Sequence, residues 1–295
     1  MTSIRRILTH PGGAHKDEFL ASSVLLALYP VPILRREPKA ADLADLETCV
    51  LDVGHEHEPA KSNFDHHQLP RDHTPTCSLS LVLQHLELYE EARRFCDWLE
   101  PAEWFDCRGP HATAKWLGIS REVVNQLNSP IDITLLRRFA QAESLRPGEP
   151  LWEIMRMVGE DLLDYVKTLQ ARLDFLNRTA EFWTLEAPEG AFHVVYVPRT
   201  NPLPDEPSMG LDAFIESQGR SHDIVATVYP DRRGSGYGLS RFQDHTRLDF
   251  TRIAAAPDVH FAHARGFIAK TSATDRNVLK NLLLLAAGEV ESSTP

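Results

Sequence analysis

His10, His15 and Asp17 fall within the octapeptide "HPGGAHKD", Asp65, His66 and His67 within "NFDHHQ", and Asp52 lies between them in "VLDVG". Imidazole nitrogen and carboxylate oxygen are ligands for hard and borderline divalent metals, and a mixed set of this size is enough for two ions rather than one. Neither histidine motif contains cysteine, which separates the pattern from the compact, thiol-rich structural zinc site. Each residue taken singly has a plainer reading. His15 and Asp17 can open a helix, His10 and Asp52 can close turns, and adjacent histidines arise by chance in a chain with 14 of them. The joint order is what points to chemistry: a histidine, then H-x-D, then an aspartate ending an apolar run, then D-H-H. That order fits a catalytic dinuclear site better than a structural one. There is no G-x-S-x-G elbow, and no covalent nucleophile is needed.

Such groups need elements to hold them. "RRILTH" (Arg5 to His10) reads as a short strand stopped by Pro-Gly-Gly, and "KDEFLASSVLLALYP" from Lys16 as a helix with acids in its first turn. "VPILRR" (Val31 to Arg36) is a second strand, "KAADLADLE" a short polar helix, and "TCVLDVG" (Thr48 to Gly54) a strand buried on both faces. Strands and helices alternating at this spacing predict a parallel sheet with right-handed crossovers, whose ligands bind beyond the carboxyl ends of the strands. His10 and Asp52 fall at those ends. A carboxylate closing a buried strand has lost hydration and needs a counter-charge, which a metal ion supplies.

From Cys77 to about Leu145 the pattern is mostly helical, with breaks expected at Pro101, "RGPH" and Pro130. Pro150 to Arg178 reads as one long amphipathic helix with an internal glycine. "FWTLEA", "FHVVYVP", "DIVATVYPD" and "GYGLSRF" read as strands beyond it, and "VLKNLLLLAAGE" as a closing helix. The expected architecture is α/β: a parallel-sheet catalytic domain with a helical extension (1–149), a connecting helix (150–181) and a smaller C-terminal substrate-binding domain (182–295), itself α/β or α+β. The tail "EVESSTP" is polar and expected to fray.

Composition bounds the function. With 295 residues, 42% apolar and 25% charged, the chain can bury one large or two medium cores. A formal net charge of −11 argues against a broad basic face for duplex DNA, while leaving room for a local phosphate site. Cys49, Cys77, Cys96 and Cys107 form no C-x-x-C pair and are expected to be buried thiols in a reducing compartment. No secretory leader or membrane-spanning run is evident, so a cytoplasmic location is expected.

The motif order resembles the DHH phosphoesterase superfamily, which includes RecJ-type exonucleases, oligoribonucleases that degrade very short RNA, and manganese pyrophosphatases. It is most similar to the Myg (melanocyte-proliferating-gene type) family of metal-dependent hydrolases and 3′-to-5′ RNA exonucleases. That family's T-H-x-G-x-x-H-x-D-E is met by "THPGGAHKDE", its D-V-G by "LDVG", its F-D-H-H-Q by "FDHHQ", and its closing histidine before G-F-I by "VHFAHARGFIAK". The resemblance implies one metal on His10, His15 and Asp52, and another on Asp17, Asp52, His66 and a later aspartate, with Asp52 as the bridge. "EWFDCRGP" resembles a degraded D-x-x-D-N-G element, which makes Asp106 the later ligand and Asp97 the fallback; Glu103 stands at the first aspartate and Cys107-Arg108 interrupt the D-N-G. His67 would face substrate phosphate. Asp65 would orient a histidine from behind or serve the fold alone.

In the second half, His263, Arg265, Gly266 and Lys270, preceded by His260, are the expected substrate contacts, arginine for its two-point grip on phosphate and glycine for close backbone approach. A core strand with a solvated Arg265 is the plain alternative, and the "RRGSGYG" loop (Arg232 to Gly238) is a weaker candidate that hairpin chemistry also explains. The leading expectation is a phosphodiesterase using two divalent ions, Mn²⁺ in preference to Mg²⁺, on single-stranded RNA or short oligonucleotides. The alternatives are hydrolysis of a small phosphate compound (a cyclic dinucleotide, a nucleoside bisphosphate or pyrophosphate) or a nucleotide- or RNA-binding module with weakened catalysis. A homodimer through the 150–178 helix is left open.

Overall fold

The computed structural model describes residues 4–288. The tail expected to fray, 289–295, lies outside them. The chain divides into two compact units, residues 1–168 and 169–295.

The first unit is built on six strands, β1 (Arg6–Thr9), β2 (Ile33–Arg35), β3 (Thr48–Leu51), β4 (His57–Glu58), β5 (Asn63–Phe64) and β6 (Ser144–Leu145), in the order β4-β5-β3-β1-β2-β6. The four central strands are parallel, as the alternating pattern predicts, and the two edges, β4 and β6, pair antiparallel. Strands β4, β5 and β6 were not expected from sequence, because two residues are too few to show a period of two.

Helix α1 (Lys16–Leu28) returns the chain from β1 to β2, and α2 (Ala40–Ala44) carries it across to β3 on the other side of β1. The sheet therefore reverses direction between β1 and β3, the switch point at which open α/β sheets bind ligands. Register makes the consequence concrete. Thr9 pairs with Leu51, so His10 and Asp52 leave neighbouring strands at the same level; Leu51 pairs with Phe64, which puts Asp65 and His66 beside them.

The helical extension comprises α3 (Ser78–His85), α4 (Tyr89–Phe95), α5 (Leu99–Leu117), α6 (Arg121–Gln126) and α7 (Pro130–Gln141). The break expected at Pro101 falls between α4 and α5, and Pro101 itself sits in the first turn of α5, where no backbone donor is lost. Pro130 opens α7, and the interruption expected at "RGPH" is real, with Gly109 at φ 74° kinking α5 before Pro110.

Helix α8 (Pro150–Thr179) contributes residues 150–168 to the first unit and 169–179 to the second. Its internal glycine has a packing role, since a Cβ on Gly159 would stand 1.9 Å from the Ser23 carbonyl oxygen of α1. The second unit adds β7 (Glu181–Leu185), β8 (Phe192–Tyr196), α9 (Leu211–Ser217), β9 (Ile224–Pro230), β10 (Tyr237–Arg241), β11 (Val259–Ala262), β12 (Ile268–Thr271) and α10 (Arg276–Ala287). Its sheet order is β11-β12-β10-β9-β8-β7, and only β8 and β9 run parallel. The expected C-terminal α/β sheet is thus largely antiparallel: hairpins need only tight turns, whereas a parallel pair needs a crossover, here supplied once by α9. Among the described residues no helix is long and apolar enough to cross a membrane.

Gly159→Ala tests the α1–α8 contact. The added methyl should lower stability by about 2 kcal/mol, despite a gain in helix propensity of about 1 kcal/mol, and the melting temperature by ~5 °C in a thermal unfolding scan. An unchanged or raised melting temperature would show that the helices can separate without penalty.

Candidate metal centre

Each element end at the switch point delivers one part of the site. Strand β1 ends at Thr9, and His10 stands just beyond it, before Pro11. His15 is the residue before α1, and its backbone N–H donates to both carboxylate oxygens of Glu18, at 2.9 and 2.8 Å. Asp52 leaves β3 in the left-handed region, at φ 57°, a conformation that costs a non-glycine residue energy and is held by the surrounding structure. Its N–H donates to the Phe64 carbonyl at 3.1 Å, which ties the turn to β5.

Two sets of side chains converge there. His10, His15, Glu18 and Asp52 bring one ligand atom each to within 4.8 Å of one another, and so do Asp17, Asp52, His66 and Asp106. Asp52 belongs to both sets. His10 Nε2 lies 3.4 Å from Asp52 Oδ2 and 3.2 Å from Glu18 Oε1, and His15 Nδ1 lies 3.4 Å from Asp106 Oδ1. His66 Nε2 approaches Asp52 Oδ1 at 3.0 Å and Asp106 Oδ2 at 2.9 Å.

The residues fit a divalent cation on two counts. First, Asp17 Oδ1, Asp52 Oδ1 and His66 Nε2 are buried and lack a hydrogen bond of proper geometry, although they stand at contact distances. Buried polar atoms left so are costly unless something satisfies them. Second, the donors are imidazole nitrogens and carboxylate oxygens, the set that divalent first-row metals accept.

Electrostatics agrees. Asp17 is pushed well above the usual carboxylate range by burial first and then by Asp52, Asp106 and Glu18, while Ser78 Oγ donates to it at 2.7 Å. His10 is raised to about 10 by Asp52 and Glu18. For His66 burial is the largest influence and acts to lower the pKa, but Asp106 and Asp52 overcome it and raise the ring to about 12.

A surrounding layer orients the ligands. Asp65 is fully inside, accepting from the backbone N–H groups of His55 at 2.7 Å and His67 at 3.0 Å and contacting His67 Nδ1 at 2.7 Å. Although burial opposes it, these contacts hold its carboxyl down at about 2. The histidine Asp65 touches is His67, not the more deeply buried His66. His67 is half exposed, with Nδ1 3.8 Å from Asp52 Oδ1.

The structure brings together His10, His15, Asp17, Asp52, His66 and Asp106, with Asp65 and His67 against them. The fallback Asp97 is exposed and in neither set, and Glu103 is taken up by Ser80 Oγ at 2.5 Å and Tyr89 Oη at 2.8 Å. Three participants were missed in the sequence. Glu18 is one, although it stands within "THPGGAHKDE". Arg35 is another: buried at the end of β2, it donates to the carbonyls of Gly12, Gly13 and Phe139 at 3.2, 2.8 and 2.8 Å and lies 3.7 Å from Glu18, so a fixed cation holds the loop between His10 and His15. The third is Cys107. Expected as a buried thiol apart from the site, it is only part-buried, with Sγ 3.8 Å from His66 Nδ1 and 3.3 Å from the Thr76 carbonyl.

The expected substrate residues of the second half lie in the second unit, where β11 and β12 form a hairpin rather than one core strand. Gly266 is at its turn, φ 69°, with its N–H donated to the His263 carbonyl at 2.8 Å. Lys270 Nζ donates to Asp231 Oδ1 at 3.0 Å, His260 lies 3.9 Å from the same carboxylate, and His263 Nδ1 accepts the Arg265 N–H at 3.1 Å. Arg265 is exposed. In "RRGSGYG", a Cβ on Gly236 would meet the Thr271 carbonyl oxygen at 1.8 Å, a close-packing reason for glycine between β9 and β10.

Sheet, switch point and converging side chains define an α/β unit with a buried His/Asp cluster that could hold metal. Residues 6–86, which carry every residue of the two sets but Asp106, match the family model of the MYG1 exonuclease family, described as an uncharacterised protein family (UPF0160). No curated protein matches the chain. Among solved structures it is similar to RecJ from Thermus thermophilus, in a crystal structure with Mn²⁺, at 14% identity and a TM-score of 0.27. That match covers 96% of this chain and 51% of the RecJ chain, so this chain spans about half of RecJ's length, and a TM-score so low carries no inference.

Asp17→Asn separates a metal centre from a structural cluster. Because the Asp17 pKa is raised, ionising it destabilises the metal-free fold as pH rises above the unfolded value, and a neutral amide removes that penalty at pH 7. The variant should melt higher than wild type in EDTA and show a much smaller rise on adding Mn²⁺. A lower melting temperature in EDTA, or an undiminished Mn²⁺ response, would contradict the assignment.

Proposed function

We propose that the chain is a metal-dependent phosphodiesterase, a 3′-to-5′ exonuclease that shortens single-stranded RNA or short oligonucleotides with two divalent cations, Mn²⁺ in preference to Mg²⁺. One observation carries this reading: Asp52 belongs to both ligand sets, the arrangement a shared bridging carboxylate requires. The family matched at residues 6–86 supports the exonuclease class. RNA and polarity follow from the resemblance to the Myg pattern. Because Asp106 lies within the second set, the altered "DCRG" element retains its ligand, which favours a working site over a degenerate binding module.

In this reading His10, His15 and Asp52 hold one cation, with Glu18 beside them, and Asp17, Asp52, His66 and Asp106 hold the other. A bound pair would supply a water of lowered pKa and positive charge against the phosphorane-like transition state. The chain's own residues do the rest. Asp65 fixes the His67 ring through Nδ1 and raises its pKa, favouring a cationic imidazole able to hold a phosphate oxygen or deliver a proton to it. Arg35 keeps the "PGGAH" loop in place so that His10 and His15 stay on the same side of Asp52.

The test is hydrolysis of a 5′-labelled single-stranded RNA with Mn²⁺, beside Asp52→Asn and with bis-p-nitrophenyl phosphate as a generic diester. Wild type should shorten the RNA stepwise, and the variant should lose more than about a hundredfold in rate, since one change removes the bridge between both ions. Cleavage of the generic ester alone would move the substrate to a small phosphate compound. Silence on both would overturn the reading.

A further inference from the structure

Beside the metal ligands, and wholly within the first unit, lies a cavity of ≈ 220 Å³ whose wall includes His66, His67, Asp106, Arg71 and Arg108. Its two arginines have no carboxylate partner among the described residues. Arg71 makes no hydrogen bond or ion pair among the described residues, and Arg108 donates through Nη2 to the His73 carbonyl at 2.5 Å without a carboxylate partner. The only acid in the wall, Asp106, is already engaged by His15 and His66. Two guanidinium groups with uncommitted donors therefore border a pocket whose other side is the metal centre.

We infer that this cavity is an anion subsite for a second phosphate, one that accompanies the diester being cut, and that Arg71 and Arg108 recognise it. The inference rests on the phosphodiesterase reading and narrows it: the substrate class becomes a short oligonucleotide or nucleotide carrying a phosphate monoester next to its diester. The chemistry suits the residues. Guanidinium binds phosphate oxygens through paired N–H donors, keeps its charge at any working pH, and gains strength where water is partly excluded. An uncharged terminal hydroxyl offers it nothing comparable. The source of Arg108 is also explicit, since it occupies the element where the Myg pattern has D-N-G and this chain has Asp106-Cys107-Arg108-Gly109. The substitution adds a cation two residues beyond a metal ligand.

The probes are the dinucleotides pApA and ApA, which share one diester and differ only in the 5′-phosphate. Binding is measured calorimetrically on the full chain in EDTA, and hydrolysis separately with Mn²⁺. Wild type should bind pApA about tenfold or more tightly than ApA, the usual worth of a charged hydrogen-bonded contact. Arg71→Ala and Arg108→Gln should each shrink the ratio several-fold, and the double variant should bring it close to one. In hydrolysis the same variants should raise KM for pApA more than they lower kcat. Arg71→Ala guards against misfolding, because Arg71 makes no contact that the fold would lose. Equal binding of pApA and ApA by wild type, or an intact preference in the double variant, would overturn the subsite. If neither dinucleotide is cut while pApA is still preferred through both arginines, the subsite stands and the phosphodiesterase reading fails; hydrolysis without preference has the opposite meaning.

Discussion

Four carboxylates, those of Asp17, Glu18, Asp52 and Asp106, are drawn together at one end of the first sheet, with Asp17, Glu18 and Asp52 fully buried. Removing like charges from water and placing them side by side is among the least favourable things a fold can do. Much of the local architecture answers that cost. Arg35 is buried beneath Glu18, His10 and His66 are drawn to a protonated state, and Ser78 donates to Asp17. What remains uncompensated, Asp17 Oδ1, Asp52 Oδ1 and His66 Nε2, has the donor chemistry of a divalent cation site.

The scaffold produces this crowding through register. Parallel strands emit their carboxyl ends in the same direction, so Thr9 opposite Leu51, and Leu51 opposite Phe64, deliver His10, Asp52 and the D-H-H motif to one level. Helix α1 starts at the same rim and adds His15 and Asp17, while α5 adds Asp106 from far along the chain. The left-handed backbone at Asp52 is the local expense of turning its carboxylate into this space.

The two flanks of the site divide its chemistry. Beside His10 and His15 the Gly12 and Gly13 carbonyls are held by Arg35, while the His15 side chain itself is exposed and borders a cavity shared with Asp17 and Asp106. Around His66 and Asp106 the neighbours are Cys107, Arg71 and Arg108, beside an open cavity.

The local contributions were readable in the sequence. Apolar runs bounded by turn residues marked β1, β2 and β3, helical periodicity marked α1 and α8, and His10, His15, Asp17, Asp52 and His66 could be singled out because each lies at or just beyond such a boundary. Asp106 needed a family pattern, since nothing in "EWFDCRGP" by itself distinguishes it from Asp97. Long-range contacts decided the rest. The two-residue strands β4, β5 and β6 have no period to detect; Arg35 becomes significant only when β2 pairs with β1 and brings its side chain under the Gly12-Gly13 loop; and Cys107 and Arg108 matter only because the α5 kink at Gly109 follows directly on residues packed against the D-H-H turn. Sequence carries residue chemistry and local periodicity. Which buried charges share a space, and which remain open to solvent, is settled by tertiary packing, where the electrostatic cost of each neighbour depends on all the others.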